Sequence, residues 1–331
     1  MNAIVKAPFA WLLKREYWES RRGFLWTQIC TASVLVAISI LGIIAFEAFR
    51  LRNNIQIGVG MHGNLSDLLS NGMQHNTAGI VPALDGLMLT FGVFAAIVLF
   101  FVIFFYLLGA LYDDRRDRSI LFWKSLPVSD TATVISKVIA AIIIAPLISV
   151  GVVLAGYVVL QIVASIWFIG HGLNPLTLLW AHAQPFSVWL HLLAMVPVNA
   201  VWALPTVGWL LVWSAAVRSK PFLWAVVIPI IAGVLNFWIG LLGLPHADEQ
   251  FFWGNIVGRA LLSVIPAGWI APNMPYLSSH GVDFVGQDQL AAISYSSMAH
   301  AFTLPDMWIG AAVGIALIAA AIWFRRWRDE A

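Results

Sequence analysis

Charged residues and cysteines are both scarce in this chain of 331 residues. Only 10% of the residues are Asp, Glu, Lys or Arg, whereas 61% are hydrophobic. A soluble domain carries roughly a quarter charged residues, so much of this surface must face something other than water. The single cysteine, Cys30, excludes a disulfide framework and a cysteine-based metal site.

Sequence signatures of catalysis are also missing. No run of the form G-x-x-x-x-G-K-[ST] occurs, so we expect no ATPase site, no bound cofactor and no enzymatic activity in this chain. The acids Asp113, Asp114 and Asp117 match the DDxxD pattern of membrane prenyltransferases, but that chemistry needs a second acidic cluster to hold metal ions. No such cluster occurs in the sequence.

Long apolar runs are what the chain has instead. Stretches of about 18 or more apolar residues without charge are typical of transmembrane helices. We therefore predict an all-α integral membrane protein with a single transmembrane domain over residues 1–331. Its six spans are predicted at about 24–47, 87–110, 138–165, 187–216, 221–243 and 306–324.

The distribution of Lys and Arg predicts the topology. If both termini are cytoplasmic, fifteen of the 18 basic residues lie on the cytoplasmic side and three on the other. This matches the positive-inside bias of short loops. The piece 251–270, between spans five and six, contains Gly, Pro and Arg259. We expect it to form a re-entrant or interfacial segment rather than a seventh span.

The N-terminal residues 7–22 predict an amphipathic helix at the membrane surface. Phe9, Leu13, Tyr17, Ser20 and Phe24 lie along one face if the helical spacing continues to residue 24. The polar face is predicted to carry Lys14, Arg15, Glu16 and Glu19.

The run YDDRRDRSILFWKSLPVSD, at positions 112–130, concentrates eight charged residues in nineteen positions. We predict a short helix over 113–126 that ends at or before Pro127. Ser129 or Asp130 is then expected to cap the third span. The helix could contact lipid headgroups, or it could dock a cytoplasmic partner through its Arg and aromatic side chains.

The same run resembles the segment between spans two and three in permease subunits of ABC-2-type transporters. Its pattern there is Y-x-[ED]-R-[RE]-x-[RG]-[ST], followed by K-x-L-P-[VL]-[ST]. The matching positions are Tyr112, Asp114, Arg115, Ser119, Lys124, Leu126, Pro127 and Ser129. The resemblance implies that 113–126 is a coupling helix, between an N-terminal interface helix and six spans in all.

It also implies a permease that moves a substrate outward across the bacterial cytoplasmic (inner) membrane. ATP and Mg would be bound by a separate cytoplasmic ABC ATPase. A second copy of this chain or a related permease would complete a dimer in the membrane lipid. No nucleic acid is expected as a partner. Contacts with the ATPase would come from Asp114, Arg115, Arg116, Asp117, Arg118, Phe122, Trp123 and Lys124. Lipid, glycan, peptide and drug substrates all remain open.

Three polar side chains inside the predicted spans, Gln161, Asn199 and Asn236, are candidates for a substrate pathway or for packing between helices. All eight histidines fall in or near the outer loops, but their spacing matches no metal motif. A membrane-embedded lipid-modifying enzyme and a non-transporting membrane scaffold are the alternative functions. The scaffold differs from a transporter in that its loss would leave substrate efflux unchanged.

Overall fold

The computed structural model describes residues 2–52, 77–117, 128–172, 174–180, 185–281 and 289–327. The regular structure in these ranges is helical. Six helices are long and apolar enough to cross a membrane, the number predicted from the sequence. They are span 1 (Phe9–Phe49), span 2 (Thr90–Arg116), span 3 (Asp130–Gly170), span 4 (Phe186–Ala216), span 5 (Pro221–Leu241) and span 6 (Pro305–Trp327).

Spans 1 and 3 are each assembled from two helices joined by a short π-helical turn, Arg22–Trp26 and Ala140–Ile144. The longer helices are Asn2–Arg21, Thr27–Arg52, Thr77–Ala110, Asp130–Ile139, Ala145–Gly170, Pro185–Ala216, Pro221–Leu241 and Pro305–Trp327. The π-helical turns are Arg22–Trp26, Ala140–Ile144, Leu176–Trp180 and Phe252–Gly258. The shorter helices are Tyr112–Arg116, Glu249–Phe251, Arg259–Leu262, Ile270–Ser279, Gln289–Ala292 and Tyr295–Ala301.

Spans 1 and 3 each contain 41 residues, about twice the length that crosses the apolar core of a bilayer. We call one end of the bundle the terminal end; the span ends that lie there are residues 9, 116, 130, 216, 221 and 327. The N-terminal helix meets the start of span 3 at this end, where Lys137 contacts Glu16.

The structure differs from the predicted N-terminal interface helix in two respects. Helix Asn2–Arg21 continues into span 1 through the turn Arg22–Trp26, whose flanking residues keep right-handed helical dihedral angles. The helix buries Leu12 and Glu16, whereas Phe9, Leu13 and Tyr17 of the predicted face are only partly buried; Phe24 of that face is buried in the turn that follows. Glu16 was expected on the polar surface, but its side chain is buried because partners from other helices neutralise it.

Spans 4 and 6 form the closest helix pair. A methyl group on Gly208 would lie 2.6 Å from the Gly314 carbonyl oxygen, and one on Gly314 would lie 2.5 Å from the Leu204 carbonyl oxygen. Small residues let helix backbones approach in membranes. The surrounding core contains fully buried Leu107, Leu210 and Ala321 from three different spans.

Residues 249–279, which we call the return segment, run inward and back between spans 5 and 6. Trp253 packs where a methyl group on Gly233 of span 5 would be. The chain then reaches Thr206 of span 4, whose hydroxyl donates to the Arg259 carbonyl oxygen at 2.7 Å. It returns towards the opposite end along span 4, where the Ala267 N–H donates to Asn199 Oδ1 at 3.0 Å.

Candidate functional site

Six charged side chains form a buried network at the terminal end of the bundle. They come from spans 1, 2, 3 and 6, and three acidic groups balance three basic ones. The members are Arg15, Glu16, Asp114, Asp130, Lys137 and Arg325.

Glu16 is the most deeply buried acid of the network, with a side chain only 1% exposed. Lys137 Nζ of span 3 lies 3.4 Å from its carboxylate, and the Tyr106 hydroxyl of span 2 donates to it at 2.9 Å. Arg15 forms a further ion pair with the same carboxylate. A buried carboxylate stays ionised only when opposite charges and donors surround it, so these contacts tie the N-terminal helix to spans 2 and 3.

Asp114 connects this pair to span 6. Its carboxylate lies 3.6 Å from Lys137 Nζ and 3.1 Å from Arg325 Nη1. Arg325 is itself buried and uses its Nε atom to contact Asp130 at 3.1 Å. Asp130 opens span 3, directly after Ser129, whose hydroxyl caps the helix as predicted by accepting the Ala132 N–H at 3.1 Å.

A second set of contacts fixes the short helix Tyr112–Arg116 to the end of span 4. The Arg115 guanidinium donates to the carbonyl oxygens of Ser214 and Val217 at 2.6 and 3.0 Å. In return, the Ser214 hydroxyl accepts the backbone N–H groups of Leu111 and Tyr112, each at 3.0 Å. These bonds satisfy polar groups that helix ends leave unpaired, and a cation is favoured at a helix C-terminus.

Comparison with known proteins agrees with this helical architecture. Residues 79–196, about a third of the chain, match the family model described as ABC-2 family transporter protein. Over these residues the chain is similar to that family, and the described residues contain six helices that are long and apolar enough to cross a membrane. No curated protein and no solved structure gives a significant match. The matched residues begin in the helix that forms span 2 and end in span 4, so they include the loop between spans 2 and 3.

The structure divides the predicted coupling residues into two groups. Asp114 and Arg115 turn into the bundle, whereas the side chains of Arg116 and Asp117 are 67% and 66% exposed and lie 3.6 Å apart. The described part of the predicted helix 113–126 ends in a turn at Asp117. The remaining predicted contact residues lie outside the described residues: Arg118, Phe122, Trp123 and Lys124.

The three candidate pathway residues all make contacts within the chain. Asn199 holds the return segment, and Asn236 forms two bonds with the backbone of Ala247, at 3.0 and 3.1 Å. Gln161 donates to the Tyr157 hydroxyl at 3.0 Å. Contacts of this kind are typical of helix packing, and a role in a substrate pathway remains a prediction.

Sequence reasoning missed four residues that hold this region together. Glu16 resembled a solvent-facing residue of a surface helix, and Lys137 and Arg325 were counted only as cytoplasmic charges. Ser214 gave no signal because an isolated serine in an apolar helix is common. One clue for Lys137 was its place seven residues inside span 3, on the face shared with the buried Thr133 and Val134. The histidines form no group of three potential metal ligands within the described ranges.

Proposed function

We propose that this chain is the membrane-spanning permease subunit of an exporter driven by a separate cytoplasmic ATPase. Both termini are then cytoplasmic, the terminal end of the bundle faces the ATPase, and the return segment is re-entrant from the outer side. Two such chains, or one with a related permease, enclose the route. The family match and the six apolar helices support this assignment.

The observation that carries the proposal is the way the last turn of span 2, which leads into the loop, is attached to the bundle. Asp114 contacts Lys137 of span 3 and Arg325 of span 6, while Arg115 and Ser214 link the same turn to span 4. A displacement of the loop is therefore transmitted to three spans at once. Packed and hydrogen-bonded groups with discrete arrangements are what couples distant sites.

The two groups of loop residues have different roles in this mechanism. Arg116 and Asp117 are exposed and are available to a partner, as we expect of residues 118–126. Asp114 and Arg115 do not contact the ATPase; they receive the movement of the loop and pass it to spans 3, 4 and 6. ATP hydrolysis on the partner supplies the energy.

The first experiment identifies the partner. The tagged full chain is extracted gently from its own membrane, and stoichiometric companions are identified by mass spectrometry. A soluble protein with a P-loop is the expected companion. Recovery of the chain alone, at every detergent strength, would refute the proposal and favour the scaffold or the lipid-modifying enzyme.

The second experiment separates docking from transmission in the isolated complex. Replacing Arg116 and Asp117 with Ala is expected to weaken association with the ATPase. Ser214→Ala removes the acceptor for two backbone N–H groups; it is expected to keep association but to lower transport per ATP hydrolysed. Arg326→Ala is the control, because Arg326 is exposed at the same end. Full transport in the Ser214 variant would contradict the proposed transmission route.

A further inference from the structure

Arg259 belongs to the return segment, and its guanidinium reaches the middle of the described bundle. Its Cζ atom lies 3.5 Å from the ring centroid of Trp202, which is near the midpoint of span 4. On the other side, a methyl group at Gly310 of span 6 would overlap the guanidinium. The side chain therefore occupies a slot between an indole face and a glycine.

The Arg259 guanidinium lacks polar partners in this slot. Its Nη1 and Nη2 atoms are shielded from solvent and donate no hydrogen bond to any of the described residues. An arginine side chain stays protonated in proteins, so this guanidinium carries its charge in the slot. Leaving a buried charged donor unsatisfied is unfavourable, and stacking on Trp202 offsets part of this cost.

Arg259 also lines a cavity of about 630 Å³ between the return segment and span 4. This volume is in the range of small-molecule sites. Its wall combines the polar side chains of Gln250 and Asn255 with the apolar side chains of Phe251 and Leu262, which are 54% and 50% exposed. Asp248, an acid of the same wall, is already engaged, because its carboxylate accepts the Gln250 N–H at 3.0 Å.

A cation without a hydrogen-bond partner beside exposed apolar side chains matches one kind of ligand. Guanidinium groups pair with planar or tetrahedral oxyanions through parallel N–H bonds, and exposed aromatic and aliphatic side chains cover hydrocarbon. Ionisable side chains at membrane depth usually mark functional sites. We propose that this cavity binds an amphiphile with an anionic phosphate or carboxylate headgroup, and that the Arg259 guanidinium turns out of its slot beside Trp202 to hold it.

The proposal is independent of the ATPase, so it is tested on the purified full chain in a nonionic detergent. Dodecyl phosphate is titrated by calorimetry, with dodecanol and inorganic phosphate as comparison probes. We expect saturable binding of dodecyl phosphate and at least a tenfold loss of affinity in Arg259→Ala. Arg52→Ala is the matched control, because Arg52 is exposed at the end of helix Thr27–Arg52 and is expected to leave binding unchanged.

The comparison probes distinguish the source of the anion. Inorganic phosphate that binds as well as dodecyl phosphate would identify a site for a free anion, whereas binding of dodecyl phosphate alone would identify a lipid headgroup. Equal binding of dodecanol and dodecyl phosphate would overturn the proposal, and so would unchanged affinity in Arg259→Ala.

A second pair of variants keeps the test decisive if Arg259→Ala does not fold. Asn255 is exposed in the cavity wall, so Asn255→Asp adds a repelling charge and Asn255→Lys adds an attracting one without touching Arg259. We expect the affinity for dodecyl phosphate to fall in the first variant and to rise in the second. Equal affinities in the two variants would overturn the proposal.

Discussion

Replacement of Lys137 by Met tests the energetic importance of the buried network. The substitution keeps the unbranched shape of the side chain but removes the charge that lies 3.4 Å from Glu16 and 3.6 Å from Asp114. Removing one partner of a buried ion pair costs about 3–5 kcal/mol, because the remaining charge is left without compensation. Glu16 keeps Arg15 and Tyr106 as partners, so we expect a loss of about 3 kcal/mol, the lower end of that range.

The loss is measured as the change in unfolding free energy of the detergent-purified chain, by titration with a denaturing detergent and tryptophan fluorescence. Arg326→Met is the matched control, since an exposed charge at the same end changes stability by only about 0.5 kcal/mol. Adding Glu16→Gln to Lys137→Met removes the uncompensated carboxylate and is expected to recover about half of the loss or more. The proposed contribution of the buried network to stability is refuted if Lys137→Met lowers the unfolding free energy no more than the control does. It is also refuted if the losses from Lys137→Met and Glu16→Gln are simply additive.

Two further predictions concern glycine and asparagine positions in the spans. Gly310→Ala is expected to destabilise the chain by about 1–3 kcal/mol, because the added methyl group overlaps Arg259. Gly42→Ala should stabilise it by about 0.5–1 kcal/mol, because a methyl group at Gly42 faces open space. Thermal unfolding that gave the same sign for both variants would contradict these expectations. Asn236→Leu removes both bonds to the Ala247 backbone and should accelerate hydrogen exchange of the Ala247 amide, with a stability loss of about 1–3 kcal/mol. Unchanged exchange there would show that the Asn236 amide is not what holds this turn.

The number and positions of the spans were predictable from sequence because apolar length is a local property. Each predicted span overlaps one of the six long apolar helices. The cap at Ser129 was predictable for the same reason, since a hydroxyl directly before an apolar helical run is a local signal for a helix start.

The buried face of the N-terminal helix could not be predicted in this way. Amphipathic spacing favoured Phe9, Leu13 and Tyr17, but the helix buries Leu12 and Glu16 because Lys137 and Tyr106 stand opposite them. Those partners are 121 and 90 residues away along the chain. No local pattern records such a distance.

The predicted loop also combines properties that the sequence predicts with one that only the tertiary structure shows. Its composition indicated a region of special contacts, and its pattern resembled the ABC-2 family, whose model matches residues 79–196. The pattern did not separate Asp114 and Arg115, which face the bundle, from Arg116 and Asp117, which face outward. That separation depends on where the end of span 4 and the last turn of span 6 lie.

The sequence by itself determined that this chain is helical, that six of its helices are apolar enough to cross a membrane, and that its basic residues gather on one side. Hydrophobic length and loop charge decide those properties before any helix meets another. The tertiary structure decided which charges are buried together at the terminal end, and it placed Arg259 between Trp202 and Gly310. The physical reason is that a buried charge is stable only beside partners from other helices, and packing alone brings those partners together.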